Sequence, residues 1–185
     1  RLTYAMVKIK QAAAETYRSL GVDEKRYAAI SEACDRILNG EADDFFVTDA
    51  MQGGAGTSHH MNVNEVVANM ALRVLGAAPG SYDQIHPLDN VNRGQSTNDV
   101  YPTALRITAI EMLRELSEEC AKLQESLQKK ENEFGFIDKL GRTELMDAVP
   151  VTLGEEFGSY AQAIARDRWR LYKIEERLRQ VNIGC

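Results

Sequence analysis

Three short stretches of the chain concentrate serine, threonine, asparagine and glycine: Gly54 to Ser58, Gln95 to Asp99 and Gly141 to Asp147. They offer the hydroxyls of Thr57, Ser58, Ser96, Thr97 and Thr143, the amide of Asn98 and the carboxylate of Glu144. Small hydroxyl donors combine with backbone N–H groups at helix starts to grip a carboxylate, and grip it harder when it gains a second negative charge. A small anionic molecule is therefore the expected ligand. Serine, threonine and asparagine also serve as plain helix caps and turn residues. What carries the functional reading is that three such loops occur in order between helical segments.

Other residues that could do chemistry point elsewhere. His59 and His60 are neighbours whose rings diverge on a helix or strand, and no third ligand stands at a useful spacing, so no metal site is expected. His86, directly before Pro87, is read as a hydrogen-bond partner that orients an irregular connection rather than as a general base. Cys34, Cys120 and Cys185 are odd in number and far apart, which fits a reducing, cytoplasmic setting without disulfide or zinc. No cofactor is expected. The 22 basic and 28 acidic residues leave a net charge of -6, and no basic run could track a phosphate backbone, so nucleic acid is not an expected partner. No apolar run approaches the ~18 to 20 residues that cross a bilayer, and residues 1–20 are amphipathic without a signal-peptide core, so no membrane association is expected. At 185 residues, 44% hydrophobic and 27% charged, the chain has the make-up of a globular protein.

The elements that must position these loops are helical. Leu2, Met6, Ile9, Ala13, Tyr17 and Leu20 recur at three- and four-residue steps, and Gly21 ends that helix. Asp23 caps a second helix striped by Tyr27, Ile30, Cys34 and Ile37, which Asn39-Gly40 closes. The glycine-rich stretch from Gly53 to Ser58 leads into a helix from about Asn62 to Leu75. From Ala77 to Thr97 the sequence lacks a sustained period and reads as a long irregular connection. Past Pro102, apolar residues from Leu105 to Leu127 mark a helix to about Asn132, and after a loop around Gly141 to Pro150 the capping pair Thr152 and Glu155 opens another, striped by Phe157, Tyr160, Ile164, Leu171, Ile174 and Leu178.

No segment alternates convincingly with period two. The expected architecture is all-α: a small helical N-terminal domain over 1–99 carrying substrate loops, and over 100–185 the first, incomplete part of a long-helix bundle. The aromatic residues of the last helix, Trp169 included, are expected in that bundle's core. Two long helices cannot bury all this apolar stripe against each other, so further helices from the same chain or from copies of it are expected. The chain ends directly after a helix at Asn182-Ile183-Gly184-Cys185, which reads as a piece of a longer protein.

Gly53-Gly54-Ala55-Gly56-Thr57-Ser58 followed by Met61-Asn62-Val63-Asn64-Glu65-Val66 resembles the first signature of the aspartase-type ammonia-lyases of the aspartase/fumarase superfamily. His86-Pro87-Leu88-Asp89 with Val91-Asn92-Arg93-Gly94-Gln95-Ser96-Thr97-Asn98-Asp99 and Tyr101-Pro102-Thr103 is similar to the second signature, with Thr97 as the aspartase choice where fumarases typically repeat Ser. Gly141-Arg142-Thr143-Glu144-Leu145-Met146-Asp147-Ala148-Val149-Pro150, running into Thr152-Leu153-Gly154-Glu155, resembles the third matching region.

The resemblance implies a mostly helical homotetramer with active sites assembled from loops of three subunits. It also implies a reaction in which a proton leaves the carbon next to one carboxylate, an aci-carboxylate forms, and ammonia or water departs to leave fumarate. In that scheme Thr57, Ser96 and Thr97 would hold the carboxylate that becomes doubly charged, Thr143 would hold the other, and Asn98 would face the leaving amine.

Two departures qualify the match. The family's base is a serine on a mobile Gly-Ser-Ser loop, and this chain has no Gly-Ser-Ser, so the chain alone is expected to be inactive and a complete parent active. Glu144 stands where relatives show His or Gln; it either pairs with a substrate ammonium, favouring aspartate over malate, or changes the substrate altogether. The leading expectation is an aspartate-deaminating lyase. Fumarate hydratase is its rival within the family, and a non-catalytic helical assembly module its rival from another class.

Overall fold

The computed structural model describes residues 1–49, 51 and 54–183; Gly53 of the first motif and Cys185 lie outside the described residues. The chain forms α1 (Leu2–Ser19), α2 (Glu24–Leu38), a 3-10 turn (Asp43–Phe45), α3 (Thr57–Val74), a π-helical turn (Pro87–Val91), α4 (Thr97–Glu133), strands β1 (Asp138–Thr143) and β2 (Met146–Thr152), and α5 (Leu153–Leu178). The backbone clusters into two units. Arg1–Thr108 with the chain from Val181 makes the first, and Ala109–Gln180 the second.

In the first unit α1, α2 and α3 pack around a core in which Met6, Val7, Ile30, Ile37, Val63, Val67 and Leu72 are fully buried. Each such side chain contributes roughly 1.5 to 3 kcal/mol by leaving water. Helix α2 starts where its sequence says: the Asp23 carboxylate accepts from Arg26 N–H at 3.2 Å. The long connection from Ala77 to Thr97 is held by side chains rather than by a regular ladder. Asn69 Oδ1 accepts from Gly80 N–H at 2.8 Å, Arg26 Nε donates to Gln84 O at 2.7 Å, and Asn90 Oδ1 accepts from His86 N–H at 2.7 Å. The His86 ring caps the π-helical turn, its Nδ1 accepting from Leu88 N–H and Asp89 N–H at 3.2 Å each.

The second unit is the remainder of α4 with α5 and the hairpin. Arg114 meets Glu175 at 2.7 Å and Gln124 meets Arg168 at 2.8 Å, so numbers rise along α4 as they fall along α5 and the two helices run antiparallel. The start of α5 is doubly fixed. Thr152 Oγ1 accepts from Glu155 N–H at 3.1 Å while the Glu155 carboxylate accepts from Thr152 N–H at 2.8 Å, a complete capping box. Leu153 N–H and Gly154 N–H donate to Ile137 O and Phe134 O just past α4.

Three local expectations are corrected. Helix α3 begins at Thr57, not near Asn62, because Gly56 at φ +73° turns the chain into the helix and His59 and His60 are buried in its first turn. Helix α4 begins at Thr97, so Pro102 sits inside it rather than near its start. The stretch from Gly141 to Pro150 is not a plain loop: β1 and β2 form an antiparallel hairpin with a bulge between Leu140 and Arg142. Neither face of this ribbon is buried, so no alternation of apolar and polar residues was imposed on its sequence. In this single chain Trp169 and Tyr172 stand 63% and 71% exposed, since α4 and α5 bury only a narrow line against each other, and the bundle core expected around them would take further helices.

Candidate functional site

The structure brings the first two motifs together in the first unit. Thr57 is the first residue of α3 and Thr97 the first residue of α4, and His60, one turn into α3, bonds through Nδ1 to Thr97 Oγ1 at 2.7 Å. The approach is close enough that a Cβ added to Gly56 would lie 2.4 Å from the Tyr101 ring. Gly56 therefore has two reasons to be glycine, its left-handed backbone and its contact with α4. Two helix N-termini, each with N–H groups unused by its own helix, stand side by side.

The hydroxyl-bearing residues crown these two ends. Thr57, Ser58, Ser96 and Asn98 are exposed and Thr97 is half-buried. Ser96 Oγ accepts from Asn98 N–H at 3.2 Å, and the Ser96 carbonyl accepts from Val100 N–H at 2.9 Å, which makes Ser96 the cap of α4. A capping hydroxyl that accepts from the backbone keeps its own O–H as a donor. The arrangement can bind an anion that lies across both helix ends.

Thr143 and Glu144 belong to the second unit, at the tip of the hairpin. Thr143 pairs with Met146, and Glu144 and Leu145 make the two-residue turn between them at φ +52° and +64°. Both are exposed. Positive φ at both central positions is what a type I′ turn needs, and Asn-Gly rather than Glu-Leu is the pair that adopts it cheaply.

Behind the first site lies a polar cluster that sequence reasoning missed. Lys10 of α1 is fully buried, and its ammonium donates to His60 Nε2 at 2.7 Å, Asn92 Oδ1 at 2.8 Å and Gln95 Oε1 at 3.0 Å. All three partners are neutral groups. Burial pulls the Lys10 amine down to about 7, and burial together with the Lys10 charge pushes His60 down to about 3. The signal was present in the sequence. Lys10 falls four residues after Met6 and next to Ile9, on the apolar stripe of α1, where a charged residue needs polar partners from elsewhere. His59 faces another way, bonding to Thr3 Oγ1 at 3.0 Å. Among the described residues no cluster of three or more His, Cys, Asp or Glu could hold a metal ion, and no helix is long and apolar enough to cross a membrane.

A helical scaffold with paired helix ends crowned by Ser, Thr and Asn is the all-α architecture of the aspartase/fumarase type. The profile of the lyase family matches residues 1–185, and the chain belongs to that family. It is 45% identical to an aspartate ammonia-lyase of Helicobacter pylori over 181 residues, which is 97% of this chain and 39% of the relative. It superposes with a TM-score of 0.92 on the crystal structure of fumarate lyase:delta crystallin from Brucella melitensis, at 45% identity over 99% of this chain and 43% of that one. A class II fumarase from Schistosoma mansoni aligns over 100% of this chain and 39% of its own at 32% identity, with a TM-score of 0.93. The chain thus spans about two fifths of the length of the relatives it matches.

Proposed function

We propose that the complete protein carrying this chain is a carbon-nitrogen lyase that reversibly deaminates L-aspartate to fumarate and ammonia. The observation that supports this is the hydrogen bond between His60 and Thr97, which ties the start of α3 to the start of α4; in our reading Thr57, Ser96 and Thr97 grip one anion there. An aspartate ammonia-lyase 45% identical to this chain supports the same reading.

In the proposed chemistry a base outside this chain removes the proton on the carbon next to one carboxylate, whose oxygens then carry two negative charges. The hydroxyls of Thr57, Ser96 and Thr97, with the two helix ends, stabilise that aci-carboxylate. Each such donor is worth roughly 3 to 4 kcal/mol of barrier in other enzymes that stabilise oxyanions. Ser58 borders the same carboxylate and Asn98 faces the leaving amine, while Thr143 of a neighbouring copy holds the second carboxylate and Glu144 of that copy pairs with the substrate ammonium. The working form is a homo-oligomer, a tetramer, in which the exposed apolar faces of the second unit are covered by copies. The unpaired thiols of Cys34 and Cys120 fit a cytoplasmic location.

Fumarate hydration is the second reading, favoured by the likeness to the class II fumarase. Incubating the complete protein with L-aspartate and following ultraviolet absorbance decides between them. Fumarate formation from aspartate, with a reverse reaction that requires ammonia, supports the lyase. Activity on malate alone replaces it with the hydratase, and silence with both leaves a non-catalytic helical assembly module. Replacing Glu144 by Gln tests the ammonium pairing: unchanged aspartate kinetics would remove that role.

A further inference from the structure

We infer that His60, backed by Lys10, is a positioning residue that fixes the Thr97 hydroxyl as a hydrogen-bond donor to the bound carboxylate; this rests on the site proposed above. The chain of donors runs in one direction. At pH 6, below the value near 7 at which it gives up its proton, Lys10 is an ammonium with only hydrogens to offer, so His60 Nε2, at 2.7 Å, must accept. A neutral imidazole that accepts at Nε2 carries its hydrogen on Nδ1. That hydrogen lies on the 2.7 Å contact to Thr97 Oγ1, which therefore accepts. The threonine hydroxyl then keeps its own hydrogen for a partner other than His60, and that hydrogen goes to the bound carboxylate.

Without this arrangement Thr97 could donate to a ring nitrogen and present only lone pairs to an anion, which would repel it. Lys10 is held in place by Asn92 and Gln95, so the connection that precedes α4 also sets the orientation of the relay. Charged or titratable neighbours of the pair are Cys34 on α2, whose thiol burial keeps protonated, and His59 on α3. Neither is placed to reverse the donor order.

The test reads the ring directly. In the full chain labelled with nitrogen-15 at histidine, at pH 6, His60 should be neutral with Nδ1 protonated, although an ordinary histidine is largely charged there. Thr97→Val should shift that Nδ1 signal, which assigns it without disturbing the core. A ring protonated at Nε2, or at both nitrogens, overturns the proposal.

The kinetic test uses the complete protein. His60→Leu should lower kcat roughly 100-fold, as a misplaced catalytic donor does, yet lower it no further in a Thr97→Val background. Equal fold losses in both backgrounds would mark His60 as merely structural. If His60→Leu does not fold, Lys10→Met replaces it in the same cycle. An unmutated protein that makes no fumarate from aspartate defeats the lyase reading, while the ring measurement still decides the relay.

Discussion

A buried lysine whose partners are all neutral sets the pH response of the first unit. Unfolded, Lys10 holds its proton up to about 10.5, whereas folded it releases it near 7, so between those values the unfolded state binds more protons. Stability therefore rises with pH across that window, by up to about 1.4 kcal/mol per unit. His60 works in the same direction lower down: folded it stays neutral to about 3, while unfolded it takes a proton below 6.5, so acidification through that range destabilises. Cys34 works the opposite way, since its thiol is held protonated to about 12 when folded but ionises above 9.0 when unfolded. Urea unfolding of the chain should thus give a free energy that climbs from pH 5 to pH 9, levels off, and falls above about 10.5. Cys34→Ala should remove the alkaline fall. A profile that peaks near pH 6 would contradict the burial of Lys10.

At the scale of elements, two places show backbone demands that side chains resist. The hairpin turn places Glu144 and Leu145 in left-handed conformations, and Leu145 is fully exposed, so its side chain contributes no packing. Leu145→Gly should stabilise the hairpin by about 0.5 to 1 kcal/mol, read as slower hydrogen exchange of β1 and β2 amides. Helix α5 presents two glycines to α4 with opposite expectations. A Cβ on Gly154 would lie 2.5 Å from the Glu131 carbonyl and 2.7 Å from Gly135 Cα, backbone atoms that cannot move aside. The nearest atoms to a Cβ on Gly158 would be those of the Glu131 carboxylate, at 2.6 Å, the end of a flexible side chain. Gly154→Ala should cost about 2 kcal/mol or more through overpacking. Gly158→Ala should be near neutral or stabilising by up to about 1 kcal/mol through helix propensity. Thermal melts of the two variants check this; equal losses would refute the distinction.

For the whole molecule, the second unit leaves Trp169 and Tyr172 of α5 and Met112, Leu116 and Leu123 of α4 in solvent. Exposed apolar stripes of this kind mark association surfaces. If copies cover them, sedimentation of the chain should give a mass above 20.7 kDa, and replacing Trp169 and Tyr172 together by Glu should return it to that value with helicity unchanged. A unit mass in the unmutated chain at micromolar concentration would count against the homo-oligomer.

Helix periodicity, the caps Asp23 and Thr152 with Glu155, and the order of the three polar motifs were legible in the residues, because each depends on neighbours a few positions away. So was the family, from whose motifs the set Thr57, Ser58, Ser96, Thr97, Asn98, Thr143 and Glu144 is proposed as the substrate grip. Three features came only from tertiary structure: the early start of α3 at Thr57, the hairpin around Glu144, and the choice of His60, Asn92 and Gln95 as the partners of Lys10. The reason is physical. An exposed ribbon places no periodic demand on its residues, and a polar cluster drawn from three elements is assembled by contacts between positions 50 and 85 residues apart, which no local pattern records.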